Sequence, residues 1–286
     1  MEKALFGPGG NSISFGLEGK KSSVDAPEWV AKRGLDAYEY EAGNGVRGSM
    51  QSFAAIGKKA VEHNIKLSFH APYFISLSGI DMEKRLKSID YISQSVAAAE
   101  AMGAYEIVVH AGSAGKIARE EAVMLAKDTL YKTLEAIPSS PVRIGIETMG
   151  KVNQLGTLSE VIDICSIDER LYPVVDFGHL NARDGGNVFV TEDDYLRVFD
   201  AVSERLGYDK AKYMHCHFSK IQYTAGGEKQ HLTFEDEIYG PEFAPLAKVL
   251  AKEKLCPLII CESAGTQAED ALSMKAEYEK AMALYN

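Results

Sequence analysis

Tryptophan and cysteine are scarce in this chain, with one Trp and four Cys in 286 residues. The thiols, Cys165, Cys216, Cys256 and Cys261, never stand as a CxxC pair, which excludes zinc-ribbon and dithiol redox motifs. Two fall inside strand-like segments, so they read as buried thiols. Cationic excess is lacking too: 31 Lys and Arg stand against 41 Asp and Glu, a formal net charge of −10. A broad basic surface that gathers nucleic acid by bulk charge is therefore excluded, although a local groove could still hold phosphate. No apolar run has the length of a membrane span, and Met1-Glu2-Lys3 leads into a strand without the apolar core of a signal peptide. The expectations are a cytoplasmic monomer with no membrane partner. Gly7-Pro8-Gly9-Gly10 lacks the GxxxxGK[ST] and GxGxxG spacings of phosphate loops and reads as a tight turn,.

Against these absences stands a repeated pattern. Six short apolar runs end in a residue able to bind a metal: Ser68-Phe69-His70, Val108-Val109-His110, Gly145-Ile146-Glu147, Val174-Val175-Asp176, Tyr213-Met214-His215 and Ile259-Ile260-Cys261-Glu262. Such a run is what a buried parallel strand looks like, apolar until it leaves the core. Three imidazoles and three carboxylates, with no thiolate among them, suit borderline or hard divalent ions such as zinc, manganese or iron.

Extended apolar segments fall at about 3–7, 35–41, 66–70, 105–110, 142–147, 172–176, 211–216 and 257–262,. Between them lie stretches with helical spacing, including Asp90 to Met102, Glu120 to Ile137 and a final Ala268 to Leu284,. Eight strand–helix units without a long linker predict an α/β fold, one (β/α)8 TIM barrel spanning residues 1–286. In that fold the carboxyl ends of the strands converge on one face, which carries the chemistry. Further histidines follow the strand ends: His179 three residues after Asp176, His217 two after His215, and His231 in the connection after strand seven. His63, near a helix C-terminus, reads as a dipole-compensating residue.

The stretches His70-Ala71-Pro72-Tyr73-Phe74-Ile75, His110-Ala111-Gly112-Ser113, Ile146-Glu147-Thr148, Asp176-Phe177-Gly178-His179, His215-Cys216-His217-Phe218-Ser219-Lys220 and Cys261-Glu262-Ser263 resemble, in order and spacing, consecutive motifs of the endonuclease IV family. That family belongs to the xylose-isomerase-like barrels, which also include sugar isomerases and epimerases, so fold alone does not choose an activity. The resemblance implies a metal-dependent phosphodiesterase that hydrolyses DNA at abasic sites in base excision repair. A metal-dependent sugar isomerase or epimerase is the alternative.

By the same resemblance, two or three divalent ions, zinc first, are held by His70, His110, Glu147, Asp176, His179, His215, His231 and Glu262. Glu147 bridges the central pair and is the catalytic residue. Where the family has the Asp of its third site, this chain has Lys229, which leaves that site short of a carboxylate unless Glu228, Asp236 or a water completes it. Tyr73 and Phe74 occupy the place of the family's substrate-wedging residues, with Arg47 as a basic partner and Lys229 as a point cation for phosphate.

Overall fold

In the computed structural model, which describes residues 2–285, the apolar runs become parallel strands with helices packed around them. The strands are β1 (Leu5–Pro8), β2 (Ala37–Glu41), β3 (Lys66–His70), β4 (Glu106–His110), β5 (Arg143–Glu147), β6 (Leu171–Asp176), β7 (His215–Phe218) and, after a hairpin, β10 (Leu258–Cys261). The hairpin is an antiparallel pair, β8 (Ile221–Thr224) and β9 (Gly227–His231). The eight-stranded sheet runs β1-β10-β7-β6-β5-β4-β3-β2. Its two edges meet through a parallel bridge between Gly9 and Glu39 and through hydrogen bonds from Asp36 N to Phe6 O and Gly10 N to Glu39 O. Gly7 allows this closure, because a Cβ there would lie 2.0 Å from the Ala37 carbonyl oxygen.

Helices begin and end where local chemistry directs. Met82–Met102 starts at Asp81, whose carboxylate accepts from Glu83 N and Lys84 N, and stops at Gly103 in the left-handed conformation,. Arg119–Ala136 and Gln267–Tyr285 agree with the helices expected from periodicity to within one or two residues. The outward faces of the strands and the inward faces of the helices form one large apolar core, in which Phe6, Phe53, Phe69, Phe177, Tyr195 and Phe218 are fully buried. No helix among the described residues is long and apolar enough to cross a membrane.

Inside the barrel the chemistry is different. Strand alternation sends every second residue to the axis, and barrel interiors are usually filled with Val, Ile and Leu. Here the apolar filling is a small cluster of Ala37, Leu258 and Ile260, with Leu5 and Tyr105 against it. Val108 and Val174 add to it, and other positions hold buried polar groups: Glu39, Ser68, Glu106, His215 and His217. A polar column thus runs up the barrel axis towards the carboxyl ends of the strands.

Strand seven is the main departure from the expected boundaries. The apolar run predicts it over 211–216, but the short helix Tyr208–Lys212 takes up the first of those residues and β7 begins only at His215.

Candidate metal centre

Glu147 ends β5 at the centre of the upper barrel mouth and is fully buried. Four imidazoles surround its carboxylate. His70 Nε2 and His110 Nε2 lie 3.3 and 3.1 Å from Oε2, and His179 Nδ1 and His217 Nδ1 each lie 3.2 Å from Oε1. Burial alone would raise this carboxyl, but His217 and the hydrogen bonds from His110, His179 and His217 outweigh it and hold it well below the usual range,.

Neighbouring strand ends complete three linked groups, within each of which the potential ligand atoms lie within 4.8 Å of one another. The first is His70, His110 and Glu147; the second is Glu147, Asp176, His179 and Glu262; the third is His179, Glu228 and His231. Glu147 belongs to the first two and His179 to the last two. Asp176 also caps the helix Phe177–Arg183, its Oδ1 accepting from His179 N at 2.7 Å, while its buried Oδ2 makes no hydrogen bond. That cap places His179 in the first helical turn, three residues on and facing the same mouth.

The ring orientations fit metal ligation. His70 Nδ1 lies 2.9 Å from the Ala71 carbonyl and His179 Nδ1 2.9 Å from the Thr148 carbonyl. A carbonyl only accepts, so both Nδ1 atoms carry hydrogen and both Nε2 atoms are left to face carboxylates, the arrangement that orients ligand histidines. Such a contact holds only with a proton or a cation between the two atoms. Metal–nitrogen and metal–oxygen bonds of about 2.0–2.2 Å put tetrahedral donors about 3.3 Å apart. His70 to Glu147, at 3.3 Å, and His179 Nε2 to Glu228 Oε2, at 3.4 Å, match that separation.

The charge states agree with a site short of cations. Burial pushes His179 down, yet Asp176, Glu147 and Glu228 reverse this and raise it to about 10. Burial lowers His110 and His231 below the ordinary imidazole value, leaving them neutral donors. Glu262 goes the opposite way to Glu147: burial raises it, with Glu147 and Asp176 adding repulsion that His217 does not cancel. A divalent ion held by these residues would relieve both strains, the crowded carboxylates and the buried imidazolium.

The structure redistributes two of the expected positions. His215 does not join Asp176 and Glu262. It starts β7 and points into the barrel below the mouth, with Nδ1 2.9 Å from Glu106 Oε1 and Nε2 3.3 Å from Glu39 Oε2. His217, two residues further up the same face, takes the place at the rim, its Nδ1 3.3 Å from Glu262 Oε1. The later start of β7 is the reason. Lys229 does not stand where the third-site carboxylate is needed either. The pairing of the hairpin steps from Gln222–Gln230 to Tyr223–Glu228, which leaves Lys229 as the extra residue of a bulge,. Lys229 is exposed, and Glu228 turns to the same side as His231, towards His179. The third group therefore has its carboxylate. Gly150 makes room for it, since a Cβ there would lie 2.6 Å from Glu228 Cβ.

The expected substrate residues divide as well. Tyr73 is 58% exposed, donates a 3.0 Å hydrogen bond to Asn44 Oδ1, and lines a cleft of about 310 Å³ with the metal groups. Phe74 packs edge-on against Tyr91 and lies outside that lining, as do Arg47 and Lys229. Lys151 and Gln154 enter the cleft on the loop after β5, where no motif marks them. Glu39 and Glu41 belong to no motif either. Their signal is there in the sequence: two carboxylates at alternate positions of β2, in a strand that is otherwise apolar and aromatic.

Comparison with known proteins agrees with this architecture. The chain is 28% identical over 277 residues to an uncharacterized protein of Methanocaldococcus jannaschii, covering 96% of this chain and 97% of the relative. It is 28% identical over 289 residues to a probable endonuclease 4 of Enterococcus faecalis, covering 97% and 88%. Among solved structures, a D-tagatose 3-epimerase-like protein superposes with a TM-score of 0.73 at 18% identity, covering 99% of both chains. Endonuclease IV from Thermus thermophilus gives 0.69 at 20% identity, covering 96% of this chain and 99% of that one. The sequence profile of the xylose isomerase-like TIM barrels matches residues 27–284, and the chain belongs to that family.

Proposed function

We propose that this barrel is a metal-dependent phosphodiesterase of endonuclease IV type, acting on DNA at abasic sites. The observation that carries the reading is the linkage of three ligand groups through Glu147 and His179. Ligand groups that share members hold ions close together, and closely spaced divalent ions suit phosphodiester hydrolysis more than carbonyl chemistry. His70 and His110 serve the first ion, Asp176, His217 and Glu262 the second, and His179 through Nε2, His231 and Glu228 the third, with Glu147 shared by the first two. When bound, such ions neutralise charge on a phosphate and activate water for attack. The chain's own residues position the substrate: Lys151 offers a point charge to the phosphate, and the exposed ring of Tyr73 offers a face to an unstacked base or sugar. The probable endonuclease 4 relative, aligned over nearly the whole chain, also supports this reading.

A sugar epimerase is the second reading. It is favoured by the set Glu147, Asp176, His217 and Glu262, which could hold one ion beside a polarised carbonyl without the other groups. Incubating metal-loaded protein with an abasic-site duplex and an undamaged control separates the two. Cleavage of the damaged strand alone, abolished by a chelator, is expected. An intact duplex, with epimerisation of a ketose by the same preparation, would overturn the phosphodiesterase reading.

A further inference from the structure

The barrel has a second cavity at its other end. With a volume of about 680 Å³ it is more than twice the size of the metal cleft, at about 310 Å³, and it lies within the range of small-molecule sites. It opens where the strands begin, walled by Leu5 of β1, Lys66 of β3, Arg143 of β5, Tyr172 of β6 and Leu258 of β10.

Its charge runs against the charge of the chain. Lys66, Arg143 and Lys210 converge there, and among the described residues no carboxylate lies within 4.0 Å of any of them. Lys210 donates to the Leu171 carbonyl at 2.6 Å. Lys66 and the half-buried Arg143 make no side-chain hydrogen bond to any described residue. What holds these cations is aromatic: Lys66 sits 4.3 Å from the ring centre of Tyr105, Arg143 4.3 Å and Lys210 4.4 Å from that of Tyr172,. The carboxylates nearest the opening are engaged elsewhere or stand further off: Asp168 and Glu169 act on Lys210 from beyond 4.0 Å, and Asp168 is paired with Arg170. Glu2 is taken by Lys212 and Tyr213, Lys3 lies 4.0 Å from Asp36, and Asp209 is exposed on the lip. Glu106, beneath the floor, is engaged with His215. Burial first and the neighbouring Arg143 second pull the Lys66 ammonium below its ordinary value, and the attraction of Glu106 does not cancel them,.

A planar guanidinium with five free donors, flanked by two ammonium groups in a concave site, matches the oxygens of a phosphate. We infer that this lower mouth is a second binding site, taking a small phosphate- or diphosphate-bearing molecule with Arg143 as the fork and Lys66 and Lys210 as point charges. The site is independent of the activity proposed for the upper mouth. The tyrosine rings hold the cations in place before the ligand arrives, so little side-chain order has to be gained on binding.

Calorimetric titration of the metal-loaded full chain with inorganic pyrophosphate tests this. Beside any binding at the metal cleft, a saturable site is expected that survives Glu147→Gln, weakens as salt is raised, and weakens at least tenfold in Lys66→Gln/Arg143→Gln. Arg143→Lys retains the charge and loses the fork, and is expected to bind several-fold more weakly at an unchanged melting temperature. That variant carries the test if the double variant fails to fold. No saturable binding, binding lost with Glu147→Gln, or equal affinity in Arg143→Lys would overturn the inference.

Discussion

Glu147 is the residue on which the upper mouth converges, with four imidazole nitrogens within 3.3 Å of its two oxygens. Glu147→Gln keeps the shape and removes the charge, so it is expected to lower bound metal by at least one ion per chain and any hydrolytic rate by orders of magnitude. Metal analysis beside the duplex assay checks both, and full metal loading in this variant would end the bridging role. Glu228 and Lys229 offer a sharper comparison because they are neighbours with opposite outlooks. Glu228→Gln should lose the third ion, since His179 and His231 alone are too few protein ligands for a stable site. Lys229→Ala should leave metal content unchanged. The reverse pattern would mean that Lys229, not Glu228, faces the site.

At the scale of elements, the loop that brings Lys151 and Gln154 into the cleft is pinned from below by two arginines. Arg183 donates to the carbonyls of Met149, Lys151, Val152 and Gln154, and Arg119 to those of Val152 and Gln154. Arg119 is gripped in turn by Glu160, at 2.7 and 2.8 Å, while Glu160 closes the capping box of the helix Leu158–Cys165,. Burial opposes ionisation of Glu160, but Arg119 and the Gly156 and Thr157 amides prevail and hold it down at about 2. A depressed carboxyl stabilises the fold at pH values above its unfolded pKa, and the contribution is lost as pH falls through the folded value. Glu160→Gln is therefore expected to cost on the order of 2 to 3 kcal/mol near neutrality. The gap to wild type should close between about pH 4.5 and about pH 2. Denaturant melts across that range measure it, and a gap independent of pH would assign the loss to the cap alone.

At the scale of the whole molecule, the proposed ions would balance buried negative charge. Glu39, Glu147 and Asp176 are fully buried, and among the described residues the cationic partners within 4.0 Å of Glu39 and Glu147 are histidines. A ligand that binds the folded state alone stabilises by about 4 kcal/mol at a thousand times its dissociation constant. In a chain of this size, with an unfolding entropy of about 2.1 cal/mol/K per residue, that corresponds to a rise of roughly 7 °C in melting temperature. Chelation should therefore lower the melting temperature by about that much, and added zinc or manganese should restore it. A melting temperature indifferent to chelator would show that the buried imidazoles supply the countercharge themselves.

Strand number, helix order and the face that carries the ligands were legible from residue order, because parallel strands announce themselves as apolar runs and their ends as the first polar residue after each. His70, His110, Glu147, Asp176 and Glu262 could be placed on that basis, since each directly ends or follows a strand whose bounds are close to those expected. The remaining positions depended on register and side, which a one-residue slip inverts. Where β7 begins decided that His217 reaches the rim while His215 lies with Glu39 and Glu106 inside the barrel. Which face of β9 turns inward decided for Glu228 over Lys229. The lower mouth was invisible in sequence because its cations come from β3, β5 and a short helix, segments far apart in the chain. Only closure of the sheet brings them around one opening, where among the described residues no carboxylate lies within 4.0 Å of them.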